Sequence, residues 1–324
     1  MDKSLEIGGR KEVALLDTYD KQYKMNEVLI IGVDHGYGNI KTAHTAFKTG
    51  ISVSTTEPTI NNNFVELNAK YYSMGEEHKK FESNKYTDED FYVFTFAAVA
   101  NEMEYRNISK AKIYLAVGVP LKWVKNQKEN FKNYLTEKRY LTYKYKRKQY
   151  EVEIVGCEVL PQCYSAVAEN LKDYTGENMV VDIGNGTINI MYLNNGRVSE
   201  NKAWTEKYGV NQLYMKIKHN VLEKKEIMIS DNIIDNFLIE NQRDIDESIS
   251  EIIIETVTEY VNKVMEKLKE YEYNDKLMKL HFMGGGSNLV KRYGKFNTEK
   301  TFFNTDIFAN AKGFEYFCYM KLQK

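Results

Sequence analysis

Asp34-His35-Gly36-Tyr37-Gly38-Asn39-Ile40-Lys41 and Asp182-Ile183-Gly184-Asn185-Gly186-Thr187-Ile188-Asn189 share one pattern, D-x-G-x-G-[NT]-I-x. They stand about one domain length apart. Each lies between two apolar runs, which predicts a strand, a glycine turn and a second strand. These residue types suit phosphate and magnesium. Glycines open turn conformations and let backbone N–H groups approach an anion closely. A carboxylate at the end of the first strand can hold Mg²⁺, directly or through water. Two such hairpins facing each other would clamp one triphosphate from both sides, and Lys41 adds a cation within reach of its β- and γ-phosphates. Either cluster alone reads as an ordinary glycine hairpin. The recurrence is what points to a ligand.

A third element, Leu280-His281-Phe282-Met283-Gly284-Gly285-Gly286-Ser287-Asn288, reads as a buried strand feeding three glycines that open a helix. Gly284, Gly285, Gly286 and Ser287 suit close backbone approach to an adenine or an α-phosphate, with the helix N-terminus favouring the anion. Neither D-x-G-x-G copy is a dinucleotide fingerprint, because the third glycine is missing and a strand follows in place of a helix. The pattern G-x-x-x-x-G-K-[ST] occurs nowhere, which excludes a P-loop.

The elements that must position these residues alternate between strand and helix. An apolar strand runs from Val28 to Val33 into Asp34, and a second follows near Ile40–Thr45. Tyr92–Glu104 reads as a helix, and Lys112–Val119 as a strand stopped by Pro120, with a polar helix to about Lys138. Residues 141–160 alternate as a hairpin bent at Lys-Arg-Lys, and Asn195-Gly196 marks another hairpin turn. Apolar residues at 253, 257, 260, 261, 264 and 268 line one face of a long helix, after which Leu277–Met283 forms a strand. Interleaved strands and helices predict an α/β fold.

The chain has 324 residues, enough for about two domains. No stretch approaches ~18 apolar residues, so no membrane span is expected, and the N-terminus lacks a signal-peptide core. Cys157, Cys163 and Cys318 form no CxxC, so a reduced, cytoplasmic protein is the simplest reading. The histidines form no zinc motif. With 45 basic and 46 acidic residues the net charge is −1, which gives no long-range pull toward DNA or acidic membranes. Lys144, Lys146, Arg147 and Lys148, interleaved with Tyr143 and Tyr145, read better as a lysine-guarded hairpin edge than as a DNA contact.

The three glycine elements, in this order, resemble the actin-like ATPase superfamily over roughly residues 27–324. The first two are similar to its phosphate motifs and the third to its adenosine motif. Length, the strand-Pro-amide element Glu158-Val159-Leu160-Pro161-Gln162 and the C-terminal Phe308–Phe314 look most similar to the bacterial plasmid-segregating actins of the ParM/StbA type. Small Ala309 and Gly313 would allow close packing at the hinge.

The resemblance implies an actin-like two-domain α/β fold with a duplicated ribonuclease-H-like core and a nucleotide cleft between the domains. Residues 1–26 would be an N-terminal extension, 27–173 domain I together with a C-terminal helix at 304–324, and 174–303 domain II. Asp34 and Asp182 would hold Mg²⁺, with Gln162 positioning the attacking water. Gly36, Tyr37, Gly38, Asn39, Gly184, Asn185, Gly186 and Thr187 would present donors to the phosphates, and Lys41 would neutralise their charge. Gly209 would lie near the ribose. Tyr37 stands where many relatives carry a small hydroxyl residue.

The implied cofactors are ATP, with GTP left open, and Mg²⁺. The implied function is an ATPase that polymerises head to tail and segregates plasmid or other mobile DNA. Its partners would be further copies of itself and a DNA-bound adaptor of the ParR type, without direct DNA binding. A sugar-kinase-like phosphotransferase and a cell-shape actin are the alternatives. Residues 1–26 carry charges of both signs, which does not favour a membrane-bound form.

Overall fold

Val28–His35 (β2) is buried along all but its first residue, and the apolar strand before Asp182 is buried likewise, so each needs cover on both faces. The structure, a computed structural model, describes residues 23–25, 27–75, 89–240, 242 and 244–323, without the side chain of Glu200. Most of the expected N-terminal extension lies outside the described residues. Its last part belongs to the fold. Lys24–Met25 (β1) pairs with β2, and Tyr23 is buried with its ring 5.0 Å from that of Tyr319.

The first sheet continues with Asn39–Lys41 (β3), Ala46–Lys48 (β4), Ile51–Ser54 (β5), Phe64–Leu67 (β6) and Lys70–Met74 (β7). Helix Glu89–Tyr105 (α1) leads to Lys110–Val119 (β8), helix Val124–Leu135 (α2), Tyr140–Tyr145 (β9) and Lys148–Pro161 (β10). The short helix Tyr164–Val167 (α3) then crosses to a second sheet. That sheet contains Glu177–Ile183 (β11), Ile188–Asn194 (β12) and Arg197–Glu206 (β13). Helices Val210–Lys225 (α4), Asp231–Leu238 (α5) and Glu247–Glu270 (α6) precede Lys279–Met283 (β14). Helix Ser287–Tyr293 (α7) and Thr301–Phe303 (β15) follow, and Ala309–Leu322 (α8) returns to the first sheet.

The two sheets repeat one topology. The order β4-β3-β2-β8-β10 in the first matches β13-β12-β11-β14-β15 in the second. In each, the first three strands in sequence pair antiparallel and the last two add in parallel. The first sheet then extends through β9, β6, β7 and β5. This duplicated core is what the resemblance implied, and the two D-x-G-x-G copies join β2 to β3 and β11 to β12.

Helices cover the outer face of each sheet, and α3 and α8 lie on the inner faces. Phe91, Phe94 and Phe131 from α1 and α2 pack on one face of the first sheet, while Phe314 and Cys318 of α8 pack on the other with Ile30 and Ala116. In the second sheet, α4 to α7 cover one face, and Cys163 and Val167 cover the other. The packing of α8 is tight at its own Gly313 and at Gly32 of β2. A Cβ on Gly313 would overlap the Ser165 carbonyl, and one on Gly32 would overlap that of Ala311.

Several expected boundaries shift for local reasons. The strand after the first turn ends at Lys41, because Thr42 and Thr45 close a turn in which Thr45 N–H donates to Thr42 Oγ1 at 3.0 Å. The polar helix stops at Leu135 and is preceded by a 3₁₀ turn at Leu121–Trp123. The strand expected from Leu277 begins at Lys279, and Leu277 is exposed. Tyr143 and Tyr145 face the core, while Lys144, Lys146 and Arg147 pair with Glu66, Glu104 and Glu57. Three of the run's four basic residues are therefore paired with carboxylates, and its tyrosines are unavailable for base stacking. Among the described residues no helix is long and apolar enough to cross a membrane.

Candidate functional site

A cleft of about 890 Å³ opens between the two sheets, within the range of small-molecule sites. The two D-x-G-x-G hairpins enter it from opposite sides. A Cβ on Gly38 would sit 2.6 Å from Asn185 Nδ2, so the two turns touch across the cleft. Gly36 is pinched in its own turn, where a Cβ would lie 2.5 Å from the Asn39 carbonyl oxygen. Two of the amides expected to face phosphate are used within the turns. Gly36 N–H donates to Asp34 O at 3.0 Å, and Gly184 N–H to Thr187 O at 2.9 Å. Asn39, Lys41, Gly38, Asn185, Gly186 and Thr187 line the cleft. The Tyr37 side chain packs in the first core, which accounts for an aromatic at that position.

The acidic residues lie at the cleft floor. Asp34 is the next-to-last residue of β2 and Asp182 that of β11, both almost fully buried. Asp182 Oδ2 accepts from Asn310 Nδ2 at 2.9 Å. Burial pushes the Asp182 carboxyl up to about 6; the Asn310 bond opposes this, the Asp34 charge adds to it and Lys41 lowers it. A buried carboxylate pair of this kind favours a cation between or beside it. Oxygen donors fit Mg²⁺, which usually binds one or two carboxylates and keeps several waters. Among the described residues no group of three or more His, Cys, Asp or Glu could hold a metal, so phosphates and water would complete the coordination.

Gln162 lines the cleft and donates through Nε2 to Asp34 Oδ1 at 2.6 Å. It stands in a turn ahead of α3. Pro161 is the last residue of β10, and Gln162 N–H donates to Val119 O. The next residue, Cys163, has φ of 69°, a left-handed conformation uncommon outside glycine. Its N–H is taken by Asn310 Oδ1 at 2.9 Å.

Of the three-glycine element, Gly284 has φ of 78°, and a Cβ there would overlap the Asp182 carboxylate. Gly285 faces open space in the cleft, and Gly286 N–H donates to Ile183 O at 3.0 Å. Ser287 turns back to donate to Gly284 O and does not line the cleft. Gly209 also lies outside the lining. It caps α4 beneath the second hairpin, and the first turn of α4 donates to the carbonyls of Gly184 and Asn185 at 3.0 and 2.8 Å. A Cβ on Gly209 would overlap Asn185 O, so this glycine buttresses the loop.

Two features were not legible in the sequence. Asn310 stands between the small residues Ala309 and Ala311 in the first turn of α8, with no motif around it. Within the cleft lining, Lys48 of β4 pairs with Asp235 of α5 at 3.1 Å, and Tyr214 Oη donates to the same carboxylate at 2.6 Å. Single charges far apart in the chain carry no motif that would have joined them.

The same fold recurs in known proteins. Residues 32–164 match the family model described as the N-terminal domain of actin-like proteins, and residues 180–293 match the C-terminal domain of the MreB-like archaeal actin homologue. No curated protein sequence matches the chain. Among solved structures, a 15-stranded ParM filament from Clostridium botulinum superposes with a TM-score of 0.72 at 16% identity, over 89% of this chain and 98% of that one. The archaeal actin homologue Ta0583, in complex with ADP, gives 0.71 at 16% identity over 90% and 99%. ParM from Bacillus thuringiensis with ATP gives 0.64 at 12% over 92% and 100%. With two matching domain models in order and a duplicated core around one cleft, the chain belongs to the actin-like proteins.

Proposed function

We propose that this chain is an ATPase that binds ATP with Mg²⁺ in the cleft, polymerises head to tail, and uses hydrolysis to set filament lifetime. The observation that carries the reading is the meeting of two D-x-G-x-G hairpins, from separate sheets, with Gly38 against Asn185 and a buried aspartate behind each. The nucleotide complexes of two structural neighbours support it. The Clostridium botulinum ParM filament supports assembly, for which contacts between unlike surfaces that do not close are required.

Asp34 and Asp182 would hold the metal and its waters, and Lys41 would neutralise phosphate charge. When bound, Mg²⁺ supplies charge stabilisation at the β- and γ-phosphates. Gln162 is fixed on Asp34 through its Nε2, which leaves Oε1 to accept from and orient a water. An amide is a poor base, so its contribution is positioning, in a reaction that rests mostly on positioning and electrostatics.

The cargo we propose is plasmid or other mobile DNA, reached through a DNA-bound adaptor of the ParR type. A net charge of −1 and a basic run already paired with glutamates favour an indirect link. The test is light scattering and electron microscopy after Mg-ATP addition, with phosphate release measured in parallel. Filaments and phosphate release are expected. Phosphate transfer to a sugar without assembly would favour a phosphotransferase and refute the filament reading.

A further inference from the structure

Asn310 stands where both connections between the sheets meet. The chain leaves the first sheet after Pro161 and enters the second at Glu177, then leaves the second after Phe303 and returns as α8. From the first turn of α8, the Asn310 side chain reaches both halves. Its Oδ1 accepts from Cys163 N–H and its Nδ2 donates to Asp182 Oδ2, each at 2.9 Å. The partners fix the orientation of the amide, because a backbone N–H only donates and a carboxylate only accepts. An amide is the short side chain that satisfies both. Serine is shorter, and aspartate would set a second carboxylate against Asp182. One α8 turn further on, Gly313 lies against Ser165, so the two connections pack as one unit there.

We propose that Asn310 is a positioning residue that locks the turn carrying Gln162 to the Asp182 carboxylate. Gln162 comes from the first sheet's last strand and Asp182 from the second sheet, so their separation depends on how the halves sit. Asn310 sets that separation through the left-handed Cys163, whose N–H it holds. This inference rests on the reading of the cleft as a nucleotide site, and it assigns the coupling between the hinge and the chemistry to one side chain.

The test compares Asn310→Ala, Gln162→Ala and the double variant. In nucleotide-free protein, the Cys163 amide of Asn310→Ala should exchange with deuterium about tenfold faster, because its acceptor is gone. Turnover of Mg-ATP should fall on the order of 10- to 100-fold, the range for a lost hydrogen bond to a charged group, while ATP affinity in EDTA stays unchanged. The double variant should be slower than Gln162→Ala by no more than about twofold, since both substitutions disturb the same water. Losses that multiply, or an unchanged exchange rate at Cys163, would overturn the proposal.

Asn310→Asp guards against a folding defect in the alanine variant. It keeps the acceptor for Cys163, so exchange should stay slow while turnover still falls; full turnover there also overturns the proposal. If the unsubstituted chain neither binds nor hydrolyses ATP, the nucleotide reading fails, and Cys163 exchange still decides whether Asn310 holds the turn.

Discussion

The Lys48–Asp235 pair joins the two halves at the cleft lining, and breaking it is expected to speed release of the proposed nucleotide. The ion pair is 3.1 Å long, with side chains 34% and 18% exposed, and Tyr214 fixes the carboxylate from its own half. Exposed pairs contribute about 0.2–1 kcal/mol. Partial burial and the tyrosine bond place this one at the upper end, about 1 kcal/mol. Replacing Lys48 by Met removes the charge and keeps most of the apolar stem. Losing about 1 kcal/mol from the closed state should speed nucleotide release roughly fivefold. The assay is stopped-flow chase of a fluorescent ATP analogue at low salt, with Lys48→Arg as the charge-retaining control. In 1 M salt the screening length is about 3 Å, so the difference between Lys48→Met and the parent should shrink toward none. Equal release rates at low salt, or a difference that persists unchanged at high salt, would refute the latch.

Gln162→Ala should still bind ATP and assemble, while phosphate release slows on the order of 10- to 100-fold and filaments persist longer; unchanged rates would leave Gln162 a bystander. Asp182→Asn should abolish the gain in ATP affinity that Mg²⁺ confers, at least about tenfold by calorimetry, and EDTA should do the same to the parent. A pH dependence is expected at Glu315, a residue of α8 buried beside Glu102 and Arg106, its Oε1 accepting from Gly32 N–H at 2.9 Å. Burial and then the Glu102 charge push its carboxyl from 4.5 up to about 8, so the folded chain keeps a proton that the unfolded chain releases, and stability falls as pH rises through that window. Glu315→Gln should therefore gain a few degrees in melting temperature relative to the parent between about pH 5 and pH 8. A difference that does not change with pH would show Glu315 to be ionised throughout.

The two D-x-G-x-G hairpins were legible because their pattern is local: carboxylate, glycine and strand follow one another in sequence, and the second copy repeats the first. Gly209 and Ser287 show where local reading stops. Both are small residues beside glycine turns, yet one buttresses the second hairpin from below and the other closes its own helix turn. The contacts that join the halves left no local trace. Asn310 meets Cys163 and Asp182, and Lys48 meets Asp235, only after two sheets have formed and α8 has returned to the first. The strands from Ile51 to Met74 extend the first sheet without any motif, since short antiparallel strands at a sheet's edge need only alternating apolar residues.

The central proposal is one triphosphate held by two hairpins. A crystal structure of the chain with Mg²⁺ and a non-hydrolysable ATP analogue tests that most directly. The predicted result is density for the β- and γ-phosphates between the Gly36–Gly38 and Gly184–Gly186 turns, with the metal beside Asp34 and Asp182. An analogue that binds in solution but occupies another part of the molecule would contradict it.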